Sequence, residues 1–134
     1  MIDIFNMVYT DLSTQLTADF TNLTVSAVPV LVPEVFPYVT IDEADNYSYA
    51  QSRSGTDREG YANVVYEINI YSKDESDKHA QARSIAAKAD GLMQDKGFTR
   101  ISMNPVLDEQ DPSYYRLILR YNAVVSADYK IYKK

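Results

Sequence analysis

His79 is the only histidine in the chain, and Ser76 and Asp77 precede it closely enough to suggest a nucleophile, an acid and a base. A working triad needs its three side chains to converge in space, each within hydrogen-bond reach of the next, and neighbours in a helix start do not meet that demand. Ser and Asp placed just ahead of a helical run instead offer oxygens to the free N–H groups and charge to the dipole. His79 sits one turn before an apolar stripe, so a partly buried imidazole is expected there. Two acidic groups, Asp42, Glu43, Asp45 and Asp108, Glu109, Asp111, have the oxygen-rich chemistry that calcium or magnesium prefers. Neither has the glycine-punctuated spacing of an EF-hand loop, and both read as solvated turns, with weak divalent binding at an interface left open. Paired carboxylates for glycoside hydrolysis need a cleft and a perturbed acid, and no feature of the sequence points to either. No catalytic residue, cofactor or metal is therefore assigned.

Cysteine is absent, which rules out disulfides and thiolate metal sites. Tyrosine dominates the aromatics, with 12 copies and no tryptophan. Tyr47, Tyr49, Tyr61, Tyr71, Tyr114, Tyr129 and Tyr132 fall in loops, on wet strand faces or in the tail. A phenol joins a large contact area to a hydrogen-bonding tip, which suits protein interfaces. Ordinary half-buried sheet packing accounts for the same residues equally well. Stacking on single-stranded nucleic acid would need an accompanying positive channel.

The net charge of −6 is unevenly distributed: no Lys or Arg occurs before Arg53, whereas Asp3, Asp11, Asp19, Glu34, Asp42, Glu43 and Asp45 all do. The end of the sequence, with Lys130, Lys133 and Lys134, is basic. Such polarity favours head-to-tail association of copies, although solubility charge on a monomer is the plainer account. It argues against phosphate-backbone binding, which rests on clustered Lys and Arg. Residues 1–5 carry neither a basic leader nor a continuous apolar run, and no segment approaches the ~20 apolar residues of a membrane span. We therefore expect a protein that stays where it is made, so the sequons at Asn22 and Asn46 read as chance matches.

The elements that would position these residues follow from periodicity. Phe5, Val8, Leu12, Leu16 and Phe20 share one helical face, with Asp3 as cap and Thr21-Asn22 as a left-handed stop. Residues 23–28 have strand composition. Pro29, Pro33 and Pro37 then confine an apolar stretch to an edge or connecting arm. A strand resumes over 38–42, and the polar composition of 43–60 reads as a long loop or extended hairpin. Ala62, Val64, Tyr66, Ile68 and Ile70 alternate with wetter neighbours in the clearest strand. Ser72 and Glu75 have capping-box spacing ahead of a helix over 74–96, whose stripe is Ala82, Ile85, Ala86, Ala89, Leu92 and Met93 and whose stop is Gly97. Residues 99–103 form a strand that Asn104-Pro105 interrupts, and 108–112 form an acidic turn. The longest strand spans 114–127, apolar at Tyr115, Leu117, Leu119, Tyr121, Ala123 and Val125. The order implies a single α+β domain over 1–134, with a mainly antiparallel sheet and two helices on one face.

With Phe36-Pro37-Tyr38-Val39-Thr40-Ile41, Tyr66-Glu67-Ile68-Asn69-Ile70-Tyr71, Lys96-Gly97-Phe98, Tyr115-Arg116 and Arg120-Tyr121 in this order, the chain resembles tail terminator proteins of long-tailed bacteriophages. The nearest grouping is the tail completion or tail-to-head joining proteins. The likeness covers most of the chain, and each motif alone is mainly hydrophobic pattern. The resemblance implies a non-enzymatic structural protein of the virion, made in the host bacterial cytoplasm. Such a protein forms a ring, usually of six copies, that caps the tail tube, ends its polymerisation and meets the head connector. Its implied partners are sister copies, the major tail tube protein and a head-completion or connector protein. DNA would pass through the lumen without specific binding, and no membrane is involved. The interface residues expected on this reading are Tyr47, Tyr49, Arg53, Arg58, Tyr61, Tyr71, Arg116, Arg120, Lys130, Lys133 and Lys134. The alternatives are a head completion or stopper protein of the same joint, a small ligand-binding regulatory domain, and an enzyme using a carboxylate or His79.

Overall fold

A computed structural model of the chain describes residues 1–28, 30, 32–48, 60–73, 77–106 and 113–132. Their order is α1 (Phe5–Asp19), β1 (Thr24–Ser26), β2 (Tyr38–Ser48), β3 (Tyr61–Ser72), α2 (Lys78–Lys96), β4 (Thr99–Val106) and β5 (Tyr115–Ser126). The strands form one sheet in the order β1-β2-β3-β5-β4, antiparallel except where β1 lies parallel to β2. This is the expected α+β class.

Strand alternation sorts the side chains into two faces, and register stacks the apolar ones across strands. Ile68 lies between Ile41 and Leu119, and Ile70 between Val39 and Leu117. All are fully buried beneath Val8, Leu12 and Leu16 of α1 and Ala82, Ile85, Ala89 and Met93 of α2. Each buried Leu or Ile contributes roughly 1.5–3 kcal/mol, and the small alanines let α2 lie close to the strands. Two phenols also enter this layer. Tyr66 donates to the Glu43 carboxylate at 2.7 Å and Tyr121 to Asp90 at 2.6 Å, so their hydroxyls are satisfied.

Element ends follow the expected chemistry apart from the cap of α1 and three further departures. Asp3 accepts from the Phe5 N–H at 3.0 Å but lies one residue ahead of the cap position, Ile4, where no side chain caps α1. The far end of α1 is closed by Phe20 in extended conformation, and Leu23 N–H donates to the Phe20 carbonyl, so the left-handed stop at Thr21-Asn22 is not used. α2 begins at Lys78 rather than 74 because Asp77 is its cap, accepting from Ala80 N–H at 2.9 Å. Ser72 ends β3 and donates to Gln81 instead of capping, while Glu75 lies outside the described residues. Gly97 closes α2 at φ 107°, a left-handed conformation suited to glycine, and Phe98 N–H reaches back to the Met93 carbonyl. The third departure is β4, which continues through Asn104-Pro105 to Val106, as an outermost strand tolerates proline.

The stretch expected as loop or hairpin divides. Residues 43–48 continue β2, with Asn46, Tyr47 and Ser48 opposite Val64, Asn63 and Ala62 after a register shift between Glu43 and Asp45. Residues 49–59, like the acidic turn at 108–112, lie outside the described residues. Among the described residues no helix is long and apolar enough to cross a membrane.

Candidate assembly surface

Both helices cover one side of the sheet, and the opposite side carries the polar set of each strand. Five sequence-selected residues share this open face: Tyr47 of β2, Tyr61 and Tyr71 of β3, and Arg116 and Arg120 of β5. The face has two ends with different character.

At one end, the segment leading into β2 folds over the sheet. Tyr71 donates its hydroxyl to the Val30 carbonyl at 3.1 Å, and its ring packs near Tyr38 and Tyr114, with centroids 6.4 and 6.2 Å away. Phe36 lies 5.9 Å from Tyr114, Lys73 sits over the Phe36 ring, and the Phe36-Pro37 peptide is cis. Tyr71 is 1% exposed, so it floors this cluster rather than occupying the wet face expected from alternation. Burial pushes its phenol above the ordinary tyrosine value, with the Arg116 guanidinium opposing. That guanidinium lies 5.3 Å above the Tyr71 ring and forks onto the Asn69 side-chain oxygen at 2.7 and 3.0 Å. Asn69 donates to Glu67 at 3.2 Å, and Glu67 pairs with Arg120 at 2.9 Å, which completes a polar chain running along the face.

The other end is bare. Tyr47 is 52% exposed and Tyr61 42%, and Arg120 is exposed at the boundary. Tyr61 pairs in register with Ser126, where the chain turns and returns. Ser126 N–H donates to the Lys130 carbonyl, Ile131 bridges to Val125, and Tyr132 N–H donates to Val124. Tyr47, Tyr61 and Lys130, far apart in sequence, therefore lie at the same end of the sheet, with β5 between Tyr61 and Lys130. Periodicity placed Tyr61 on the wetter side of its strand, Tyr47 was expected in a loop and lies instead on β2, and only the pairing register shows that Lys130 belongs to the same end. Tyr49, Arg53, Arg58, Lys133 and Lys134 lie outside the described residues.

Reactive chemistry is not assembled by the described residues. Asp77 is held by the helix start, Ser76 lies outside the described residues, and His79 is exposed with its ring 4.3 Å from that of Tyr115. His79 is thus more open than expected, because the buried stripe begins at Ala82. Asp42 and Asp45 project from the open face while Glu43 turns to the helix side to meet Tyr66, so this acidic group diverges. No group of three metal-binding side chains is present among the described residues. A cleft of about 510 Å³ beside Gly97, Phe98, Asn122 and Tyr132 has no carboxylate or amine side chain among the described residues of its lining. A second, about 300 Å³, contains Asp90, already engaged by Tyr121, Gln94 and Arg100.

What the described residues present is a surface rather than a reactive pocket. No curated protein matches the sequence. Residues 11–126, from within α1 through the whole of β5, match the family described as Tail completion protein gp17. That stretch contains the entire sheet, all of α2 and the second part of α1, and the chain belongs to this family of phage tail assembly proteins.

Proposed function

We propose that the protein closes into a ring, six copies on the assembled tail, that caps the tail tube, ends its polymerisation and presents a surface to the head connector. The bare end of the open sheet face carries this reading: Tyr47 and Tyr61 stand exposed there, Arg120 is exposed further along the same face, and the described residues assemble no reactive constellation. Tyrosine and arginine are the residues that interfaces concentrate, because they bury large areas while keeping hydrogen-bonding tips. Within the virion the ring sits at the head-proximal end of the tail, against the major tail tube protein on one side and a head-completion or connector protein on the other. DNA passes its lumen without specific binding, and the predominance of carboxylates in the first part of the chain suits a lining that repels phosphate.

Electron microscopy of the purified protein mixed with matching tail tubes tests the proposal. Annular caps at tube ends are expected; tubes that keep growing, with the protein unbound, would overturn it. The basic end gives a second check. Replacing Lys130, Lys133 and Lys134 with Gln leaves the return hairpin in place, since that hairpin uses the Lys130 carbonyl. Assembly should then weaken more at low than at high salt. Deleting residues 49–58 should spare the fold and impair capping; the deletion begins at 49 because Tyr47 and Ser48 belong to β2.

A further inference from the structure

The sheet ends in two margins of opposite electrical character. Among the described residues β1 pairs only with Tyr38, Val39 and Thr40, so residues 41–47 form one margin along the outer side of β2. β4, 8 residues long and paired among the described residues only to β5, forms the other. A strand margin exposes a row of backbone N–H and C=O groups that template the addition of another strand. The β4 margin also exposes apolar side chains, with Ile101 at 55% and Met103 at 37%.

Charge distinguishes the margins on each face. Residues 41–47 contain Asp42, Glu43 and Asp45 and no base, whereas β4 contains Arg100 and no acid. Register puts Arg100 opposite Tyr121 and Met103 opposite Leu119, on the helix side of the sheet. Arg83 of α2 shares a cleft with both. Among the described residues Arg83 has no ion pair, and Arg100 has only Asp90, at 3.3 Å. At the opposite margin the helix side presents Glu43, with Asp3 close enough for its charge to act on the Tyr66 phenol. On the open face Asp42 and Asp45 would meet Thr99, Ser102 and Asn104, which offer hydroxyl and amide donors.

Resting on the ring reading above, we infer that β4 of one copy adds to residues 41–47 of the next, so that the sheet continues from subunit to subunit. Pairing either margin with itself would set carboxylate against carboxylate or Arg100 against Arg100, which opposes a two-fold dimer and favours head-to-tail closure. Pro105 has no N–H to donate, so the new ladder runs over residues 99–104.

The absence of cysteine allows a direct test. Ala44→Cys and Ile101→Cys place thiols at exposed positions on the two margins. The two variants are mixed on tail tubes and treated with a short bis-maleimide. Crosslinked pairs are expected from the mixture and not from either variant alone, and the doubly substituted chain should give a ladder of multimers. Arg83→Glu in that background should reduce crosslinking several-fold without moving the unfolding midpoint, and an undiminished yield would remove the charge match. Like-with-like products, or products joining Ile101→Cys to the tube protein, would overturn the inference. Annular caps seen without any crosslink would sink it while leaving the ring intact. Absence of both caps and crosslinks would remove the ring as well.

Discussion

On the helix-covered face, Ile68 sits in register between Ile41 and Leu119, and all three are fully buried; one residue along, on the other face, Glu67 sits between Asp42 and Arg120, and both flanking residues are exposed. The same strands supply both rows. The first row is fixed by exclusion of water and leaves little room for variation. The second is fixed by hydrogen bonds near Tyr71 and is exposed to solvent near Tyr47 and Tyr61. Stability is thus concentrated on one side of the sheet, which leaves the other side to be shaped by whatever it contacts.

Alkaline pH should break the helix-covered face most completely. Burial is the first cause that pushes the Tyr66 and Tyr121 phenols far above the ordinary value of about 10, and their bonds to Glu43 and Asp90 add to it. The folded chain keeps these phenols protonated, so their contribution is complete below about pH 10 and is lost as pH climbs beyond it. In a spectrophotometric titration, Tyr66 and Tyr121 should ionise only together with loss of the helical circular dichroism signal. One smooth transition for every phenol would erase the distinction between the faces.

Leu119→Ala comes next in size, with an expected loss of about 2–5 kcal/mol in urea unfolding, from lost transfer energy and the cavity left behind. Asn69→Ala should cost about 1–3 kcal/mol, because the Arg116 guanidinium loses the oxygen it grips with two nitrogens beneath the covering segment. A negligible change there would show that the covered end is no more constrained than the bare one. Gly91→Ala, where an added Cβ meets nothing within 4 Å, should stabilise α2 by about 0.8–1 kcal/mol and leave tube capping unchanged. Tyr47→Ala and Arg120→Ala should move unfolding least, within about 1 kcal/mol, since the Arg120 side chain of the pair with Glu67 is half exposed. Their effect belongs in the count of capped tubes, which should fall.

The sequence exposed the helix-covered side well, for a physical reason. Burial imposes a period, so the alternation of Ala62, Val64, Tyr66, Ile68 and Ile70 and the stripe from Ala82 to Met93 announced their elements and their inward faces. Boundaries were less legible where local chemistry had competing solutions. Ser72 and Glu75 had the right spacing for a capping box, but Asp77 was nearer the helix and captured the free N–H. Asn104-Pro105 read as a break because proline weakens a ladder, yet an outermost strand uses only one side of its backbone. The open face was legible in composition and hidden in arrangement. Nothing local in Tyr71 reports that the segment before β2 will cover it, and nothing in Lys130 reports that the chain folds back along β5.

One detail at the start of the chain bears on how the protein can be handled. Met1 is 90% exposed whereas Ile2 is 4% and Ile4 2%, and the Asn46 amide holds the Ile2 carbonyl at 2.8 Å. An affinity handle or fluorophore attached ahead of Met1 therefore begins a single residue from packed side chains and pulls directly on the strand that carries Asn46. A flexible spacer at that junction would let labelled material report on tail assembly instead of on a loosened amino terminus.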